Sequence, residues 1–415
     1  MAPRREIRRL RHVLRASAEP SAGGTALRAV GAAAAEPAVV LELGADDVDL
    51  SAIHDRLAAA VATQDFAAAA QLQQALRCLT PAPAPLSPAA GTDAATVAAQ
   101  KAFMDEHGFL VVPLYAGDAL ARLQASWRRV QEPAVREWAA AKRQGVGIKG
   151  HGFANSPLGS TQEFCERGTP VTFRGRLLAR RWMDIPAQDF FAESCDAQGD
   201  DILLGLVDHP LLVPVLRAYL GDEVQLAGVS PRTYPSHPDD DDEGSCTFWH
   251  RDGSKPDGYT EPTDAHDLKV FVNLADIPAD GGCTAVVPRT HKLRSMPHEL
   301  FGARAFSREN GTGVNLERMP NAMPFAVPAG TACIFDTACW HTAMNNTSAV
   351  DRQSVILGYN CVVPRRNTGE LIPPAMLERL ESVGRMESET RRQILGFQDG
   401  ALLGQRGDWR GLYDE

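Results

Sequence analysis

The sequence predicts a mainly β domain, a sandwich or barrel with flanking helices, preceded by a small helical hairpin. Three observations carry this. Short β-type runs crowd the second half of the chain, turn residues punctuate them, and a proline-rich stretch sets an Ala-rich helical segment apart from the rest of the chain.

Residues 1–45 are rich in Ala, Gly and Pro and are expected to be disordered. Within 1–33, Arg4, Arg5, Arg8, Arg9, Arg11, Arg15 and Arg28 stand against only Glu6 and Glu19. An Arg- and Ala-rich, acid-poor stretch without an apolar core fits an organelle transit peptide, with Arg15-Ala16-Ser17 as a processing neighbourhood. A disordered basic tail has the same composition. The first reading implies a plastid or mitochondrial address, the second a cytoplasmic one.

From 46 to 79 the pattern is helical. Leu50, Ile53, Leu57 and Val61 recur at helical spacing, and Phe66, Ala69, Leu72, Leu76 and Leu79 form a second stripe. Thr63-Gln64-Asp65 between them suits the turn of a short antiparallel pair. Residues 80–92 (Thr80-Pro81-Ala82-Pro83-Ala84-Pro85, then Ser87-Pro88) read as an extended, semi-stiff linker. The main domain spans 93–415.

That domain opens with a helix over Ala95–His107, ended by Gly108 as a left-handed cap. A strand, Phe109–Pro113, comes next, then a helix over Asp118–Val130 presenting Leu120, Leu123 and Trp127. Residues 140–200 have little period and read as loops over a site; His151, Arg174, Arg176, Arg180 and Arg181 read first as solvated surface and second as residues near its entrance. Strands are expected at Val224–Val229, Cys246–Trp249, Leu268–Leu274, Thr284–Val287, Thr331–Phe335 and Ser354–Val363. Pro231, Pro235, Asp280-Gly281-Gly282, Pro328-Ala329-Gly330 and Asn345-Asn346 mark the turns.

Composition excludes some classes. The formal net charge of −10 argues against a nucleic-acid-binding body. No apolar run reaches the ~18 residues of a bilayer crossing, so no membrane span is expected. The eight cysteines are scattered, with no CxxC pair, and read as reduced, mostly buried thiols.

The chemistry concentrates in two places. Phe248-Trp249-His250-Arg251-Asp252-Gly253 contains His-x-Asp, and on a strand residues i and i+2 share a face. His250 and Asp252 can therefore converge on one metal ion. A distal His341, in Cys339-Trp340-His341-Thr342, completes a 2-His-1-carboxylate triad, the arrangement of non-haem Fe(II) oxygenases. Three open positions remain, two for a chelating 2-oxoglutarate and one for O2. Eleven residues on, Arg352 and Ser354 alternate onto one face. The guanidinium fork matches a carboxylate and the hydroxyl adds a donor, which suits the far carboxylate of 2-oxoglutarate. His266, His291 and His298 are rivals, but none has an acid two residues on. Trp249 and Trp340, flanking the ligands, read first as core packing and second as pocket walls.

These stretches resemble the phytanoyl-CoA dioxygenase family of Fe(II)/2-oxoglutarate-dependent oxygenases from about Gln100 to Gly396. Besides the site residues, the resemblance rests on Phe103 and His107-Gly108-Phe109-Leu110-Val111-Val112-Pro113, on Asp276-Ile277-Pro278, and on Gly281-Gly282-Cys283-Thr284-Ala285-Val286-Val287-Pro288-Arg289-Thr290-His291-Lys292. It implies a double-stranded β-helix (a jelly-roll, cupin-like barrel) and iron on His250, Asp252 and His341. It also implies 2-oxoglutarate on Arg352 and Ser354, with ascorbate as a reductant. A small organic substrate (lipid, acyl-CoA or natural-product-like) would be hydroxylated with release of succinate and CO2. Related halogenases leave the acidic position without a carboxylate, so Asp252 argues for hydroxylation, desaturation or ring closure.

Two features depart from the family. Arg289 stands where the family usually has Gly, and is expected to change the loop's shape rather than the chemistry. The acidic run Asp239–Glu243 reads as a solvated loop or as a rim favouring a cationic substrate. Upstream, Leu57–Val61 with Asp65–Leu72 resembles the UVR motif, a hairpin for protein–protein contact, so a protein partner through 46–79 is weighed against a plain helical appendage. Two rival readings remain: a catalytically inactive barrel acting as a binding or regulatory protein through the hairpin, and a cupin-like enzyme using another metal without a cosubstrate.

Overall fold

The β-type runs pair into two facing antiparallel sheets in a computed structural model. It describes residues 50–80, 87–143, 172–173, 176–177, 183–185, 187–196, 200–234, 236, 249, 251, 267–293, 319, 321–344, 346–361, 374–398 and 401–402. The basic segment 1–33, the acidic run 239–243, His151, Arg174, Arg180, Arg181, His266 and His298 lie outside the described residues. So do His250 and Asp252.

The strands are β1 (Phe109–Pro113), β2 (Thr172–Phe173), β3 (Arg176–Leu177), β4 (Met183–Asp184), β5 (Val224–Tyr234), β6 (Asp267–Asn273), β7 (Thr284–Val286), β8 (Met323–Pro324), β9 (Thr331–Asp336), β10 (His341–Ala343), β11 (Arg352–Cys361), β12 (Phe397–Gln398) and β13 (Ala401–Leu402), the last two paired with each other. A six-stranded sheet runs β1-β9-β6-β11-β5-β4, and a three-stranded sheet runs β10-β7-β8. β2 and β3 form a separate hairpin.

Side-chain alternation gives the larger sheet two buried faces. Leu268, Val270 and Val272 of β6, Ala332 and Ile334 of β9, and Val355, Leu357 and Tyr359 of β11 point to one face. There they meet helices. Phe271, Cys333, Phe335 and Ile356 point to the other face, where Val286 of β7 and Phe325 close over them. The strands therefore read as continuous apolar runs, and β9 is buried at every residue.

The helices are α1 (Ser51–Ala62), α2 (Phe66–Leu79), α3 (Ala94–His107), α4 (Gly117–Arg143), α5 (Ala187–Ser194), α6 (Val213–Leu220), α7 (Pro374–Ser382) and α8 (Glu389–Ile394). Met104, Trp127, Phe190, Phe191, Leu216 and Leu377 carry α3 to α7 onto the larger sheet. Each such burial is worth roughly 1.5–3 kcal/mol. The Asp93 side chain caps α3 by accepting from Thr96 N at 3.0 Å, and Gly108 ends it at φ 78°. A Cβ at Gly108 would lie 2.4 Å from both Cys339 Sγ and His291 Nδ1. Glycine thus serves both the left-handed turn and the approach of α3 to the strand loops.

Several expectations need correction. The helix expected over Asp118–Val130 runs on to Arg143, because exposed Pro133 removes only one backbone donor on the solvent side. The 140–200 stretch contains α5, whose Phe190 and Phe191 are fully buried, so part of it is core rather than loop. The linker expected to reach residue 92 is bound to the domain from Ser87: its Oγ accepts from Val111 N at 2.9 Å, and Ala89 O accepts from Gln100 Nε2 at 3.0 Å. Phe66 and Val61, expected on the buried stripes, are 72% and 54% exposed. They flank the hairpin turn, where the two helices end.

Arg289 adopts φ 72°, a left-handed conformation that glycine favours. Its backbone N donates to His107 O at 2.9 Å and its Nε lies 3.1 Å from Glu106 Oε1. The strain of about 1–2 kcal/mol is offset by the lower backbone entropy cost of a non-glycine residue, about 0.5–1 kcal/mol, and by an exposed ion pair worth under about 1 kcal/mol. Arg289→Gly should therefore change unfolding free energy by less than about 1 kcal/mol. Gly282 is different: at φ 68°, its Cβ would sit 2.6 Å from Tyr234 Cε1 and 2.7 Å from Asn346 Cβ. Gly282→Ala should cost about 2–5 kcal/mol in urea unfolding.

Candidate active site

The space between the sheets holds three of the five residues singled out from the sequence. His341 opens β10 on the inner face, paired with Val286 of β7, and is 5% exposed. Its ring lies 4.9 Å from that of Phe335. Nδ1 is 2.8 Å from Cys339 O. A carbonyl only accepts, so Nδ1 carries the proton and Nε2 the lone pair, the tautomer in which an imidazole binds metals through Nε2.

The turn before His341 is held by a buried acid. Asp336 Oδ1 accepts from Ala338 N and Oδ2 accepts from Tyr219 Oη, both at 2.8 Å. Its carbonyl accepts from Cys339 N, also at 2.8 Å. Burial, and next the Asp336 charge, push the Tyr219 phenol up, so it stays a donor. The carbonyl that sets the His341 tautomer thus belongs to a fixed turn.

Arg352 opens β11 opposite Tyr234 and is 6% exposed. Nη1 donates to Gly282 O at 2.5 Å and Nη2 to Thr284 Oγ1 at 3.0 Å, with Cζ 5.4 Å from the Phe271 ring centre. Ser354 lies two residues on, on the same face, 1% exposed, paired with Asn273 of β6. Ser354 Oγ and Asn273 Oδ1 are buried with no hydrogen-bond partner among the described residues. Such atoms cost about 1–3 kcal/mol each unless a ligand or water meets them.

Strand β7 relates these groups. His341 pairs with Val286, while Arg352 reaches Thr284, two residues along the same face and so ~7 Å away. On the opposite sheet Phe271 and Phe335 stack at 5.5 Å between them. A histidine with a directed lone pair and a guanidinium–hydroxyl pair therefore share one apolar enclosure, walled by Phe271, Phe335, Ile356 and Val286.

Other candidates fall elsewhere. His291 Nε2 lies 3.2 Å from Asp105 O and Nδ1 3.7 Å from Cys339 Sγ, contacts that serve the α3 junction. Trp249 and Trp340 are buried in a cluster on the outer side of the smaller sheet, so they are core packing and not pocket walls. Cys78, Cys195, Cys283, Cys333 and Cys339 are free and buried. Burial pushes Cys283 and Cys333 up to about 12 and Cys339 upward, which makes them inert thiols at neutral pH. Among the described residues no group of three His, Cys, Asp or Glu is placed to hold a metal.

Sequence reasoning missed Thr284, Asn273, Tyr219 and Asp336. Thr284 comes directly after the Gly281-Gly282-Cys283 turn, and Asn273 ends an apolar strand on the Phe271 face, signals that alternation could have used. Tyr219 and Asp336 are 117 residues apart, and nothing local joins them.

The phytanoyl-CoA dioxygenase (PhyH) family model matches residues 104–354, and the chain belongs to that family. An uncharacterized protein of Mycobacterium tuberculosis (strain ATCC 25618 / H37Rv) is 28% identical over 88 residues, 21% of this chain and 26% of the relative. A Mycobacterium bovis protein matches to the same extent. The chain thus spans about a quarter of the length of these curated relatives. Among solved structures, the non-haem α-ketoglutarate-dependent epimerase SnoN from nogalamycin biosynthesis is 19% identical, over 65% of this chain and 84% of that one, with a TM-score of 0.38. HygX from Streptomyces hygroscopicus, solved with nickel and 2-oxoglutarate, is 16% identical over 62% of this chain and 84% of its own, also at 0.38.

Two substitutions separate the supporting bonds from the site itself. Tyr219→Phe strips a donor from a buried carboxylate and should lower apo-protein stability by about 1–3 kcal/mol. Ser354→Ala removes a buried hydroxyl with no partner among the described residues and should leave apo-protein stability in urea unfolding unchanged or raise it by up to about 3 kcal/mol.

Proposed function

We propose that the chain is an Fe(II)- and 2-oxoglutarate-dependent oxygenase that hydroxylates a small organic substrate. Family membership supports the class. The observation that carries the reading is the buried Arg352–Ser354 pair, set in an apolar enclosure a short step from a tautomer-fixed His341. The two facing sheets are read as the halves of a double-stranded β-helix.

His341 is assigned one iron-binding position through Nε2, and His250 and Asp252 the other two. Both of the latter lie outside the described residues, and their assignment rests on the His-x-Asp spacing, since residues two apart on a strand share a face. Arg352 would hold the far carboxylate of 2-oxoglutarate with charge-assisted hydrogen bonds, and Ser354 Oγ would donate to the same group. Phe271, Phe335, Ile356 and Val286 exclude water, which strengthens those bonds. Iron with 2-oxoglutarate and O2 would supply an oxidant for a C–H bond, one oxygen atom going to succinate as CO2 leaves and the other to the hydroxylated product, with ascorbate serving only to keep the iron reduced. The apolar walls favour a lipid-like, acyl or natural-product C–H donor.

The inactive-barrel alternative loses its working part, because the hairpin's apolar face is spent inside the fold. The test is an anaerobic titration of Fe(II) and 2-oxoglutarate followed by the weak visible charge-transfer band of the chelate. Wild type should show the band and His341→Ala should lose it. Arg352→Met should weaken 2-oxoglutarate binding by about 10- to 150-fold, the worth of a hydrogen bond to a charged group. No band at saturating iron and 2-oxoglutarate would overturn the reading.

A further inference from the structure

We infer that the N-terminal hairpin is a positioning element of the metal site, so that hairpin docking and metal binding strengthen one another. This rests on the iron reading and adds a role for a segment outside the family match, which begins at residue 104.

The hairpin is well made locally. Asp65 caps α2 by accepting from Ala68 N at 3.0 Å, and Thr63-Gln64-Asp65 closes the turn with Gln64 at φ 58°. Its buried face is Ile53, Ala60, Ala69, Leu72, Leu76 and Leu79, with alanines allowing close approach. That face does not stop at the hairpin. One buried cluster runs from it into Trp249, Ala285, Val287, Leu293, Met319 and Trp340, and Asn321 Nδ2 donates to Cys78 O at 2.8 Å.

The partners are significant for where they stand. Trp249 immediately precedes His250 and Trp340 immediately precedes His341. Ala285 and Val287 flank Val286, the cross-strand partner of His341. Trp249 and Trp340, each one residue before a histidine in sequence, are thus packed by the same hairpin.

The smaller sheet depends on such backing. Its strands have only two or three residues, too short to persist unaided. The larger sheet is backed by α3 to α7. Among the described residues, no helix of the main domain enters the cluster behind the smaller sheet; only α1 and α2 do. If the hairpin leaves, Trp249 and Trp340 face water and the sheet that aims His341 loses its outer wall. A metal ion that needs His341 in place would favour the docked hairpin, and by linkage the docked hairpin favours the metal by the same factor.

The test uses the full-length protein and Co2+ as the probe. Amide hydrogen exchange over 51–79 is measured with and without Co2+, and the Co2+ dissociation constant is measured for wild type, Leu72→Asp, Leu72→Met and Phe66→Ala. Co2+ should slow exchange across the hairpin in wild type. Leu72→Asp should weaken Co2+ binding by about 5- to 150-fold, the usual span of site–site coupling. Leu72→Met, which keeps the packing, and Phe66→Ala, at the exposed tip, should bind as wild type does. Should Leu72→Asp fail to fold, Leu76→Ala makes the same comparison. Hairpin exchange indifferent to Co2+, or unchanged Co2+ affinity in a variant whose hairpin exchanges freely, would overturn the coupling and leave the iron reading standing. A wild type that binds no Co2+ would overturn both.

Discussion

Burying a guanidinium between two apolar sheets costs several kcal/mol unless its N–H groups are met, and Arg352 meets partners on the opposite sheet. It belongs to β11 of the larger sheet, yet donates to Gly282 O and Thr284 Oγ1 at the start of β7 in the smaller one. Much of the local structure answers to that link. Gly282 must be glycine because Tyr234 and Asn346 leave no room for a Cβ. Thr284 must face inward, which turns Val286 inward too, and Val286 sets the level of His341. The charge at one end of the enclosure and the imidazole at the other are thereby tied through one short strand.

Each sheet then needs cover on its outer side, and the chain provides it twice. Helices α3 to α7 cover the larger sheet with Trp127, Phe190, Phe191 and Leu216. The hairpin covers the smaller one, around Trp249 and Trp340. Two alternations of side chains, one per sheet, separate an inner space that holds His341, Arg352 and Ser354 from outer layers of packing. Asp336 and Tyr219 join the layers, since a tyrosine on α6 holds the turn that delivers His341.

Much of this was legible from local pattern. β1 lies where its apolar run placed it, Gly108 caps α3 in the left-handed conformation, and Arg352 and Ser354 share a face as strand period demands. What escaped was non-local or conformational. Nothing near Tyr219 announces Asp336. Pairing of β1 with β9 and of β10 with β7 joins segments far apart in sequence. The hairpin's stripes were visible, but a stripe does not say what it packs against, and a protein partner was as natural a guess as the chain's own smaller sheet. Arg289 shows the same limit: nothing in the sequence announces its left-handed φ of 72°, or the backbone bond to His107 and the ion pair to Glu106 that accompany it.

The most direct measurement is a crystal structure grown anaerobically with Fe(II) and 2-oxoglutarate, with iron located by its anomalous scattering. The account predicts an iron peak bonded to His341 Nε2, between the sheets, with a 2-oxoglutarate carboxylate on Arg352 and Ser354. Iron bound elsewhere, or 2-oxoglutarate turned away from Arg352, would contradict it.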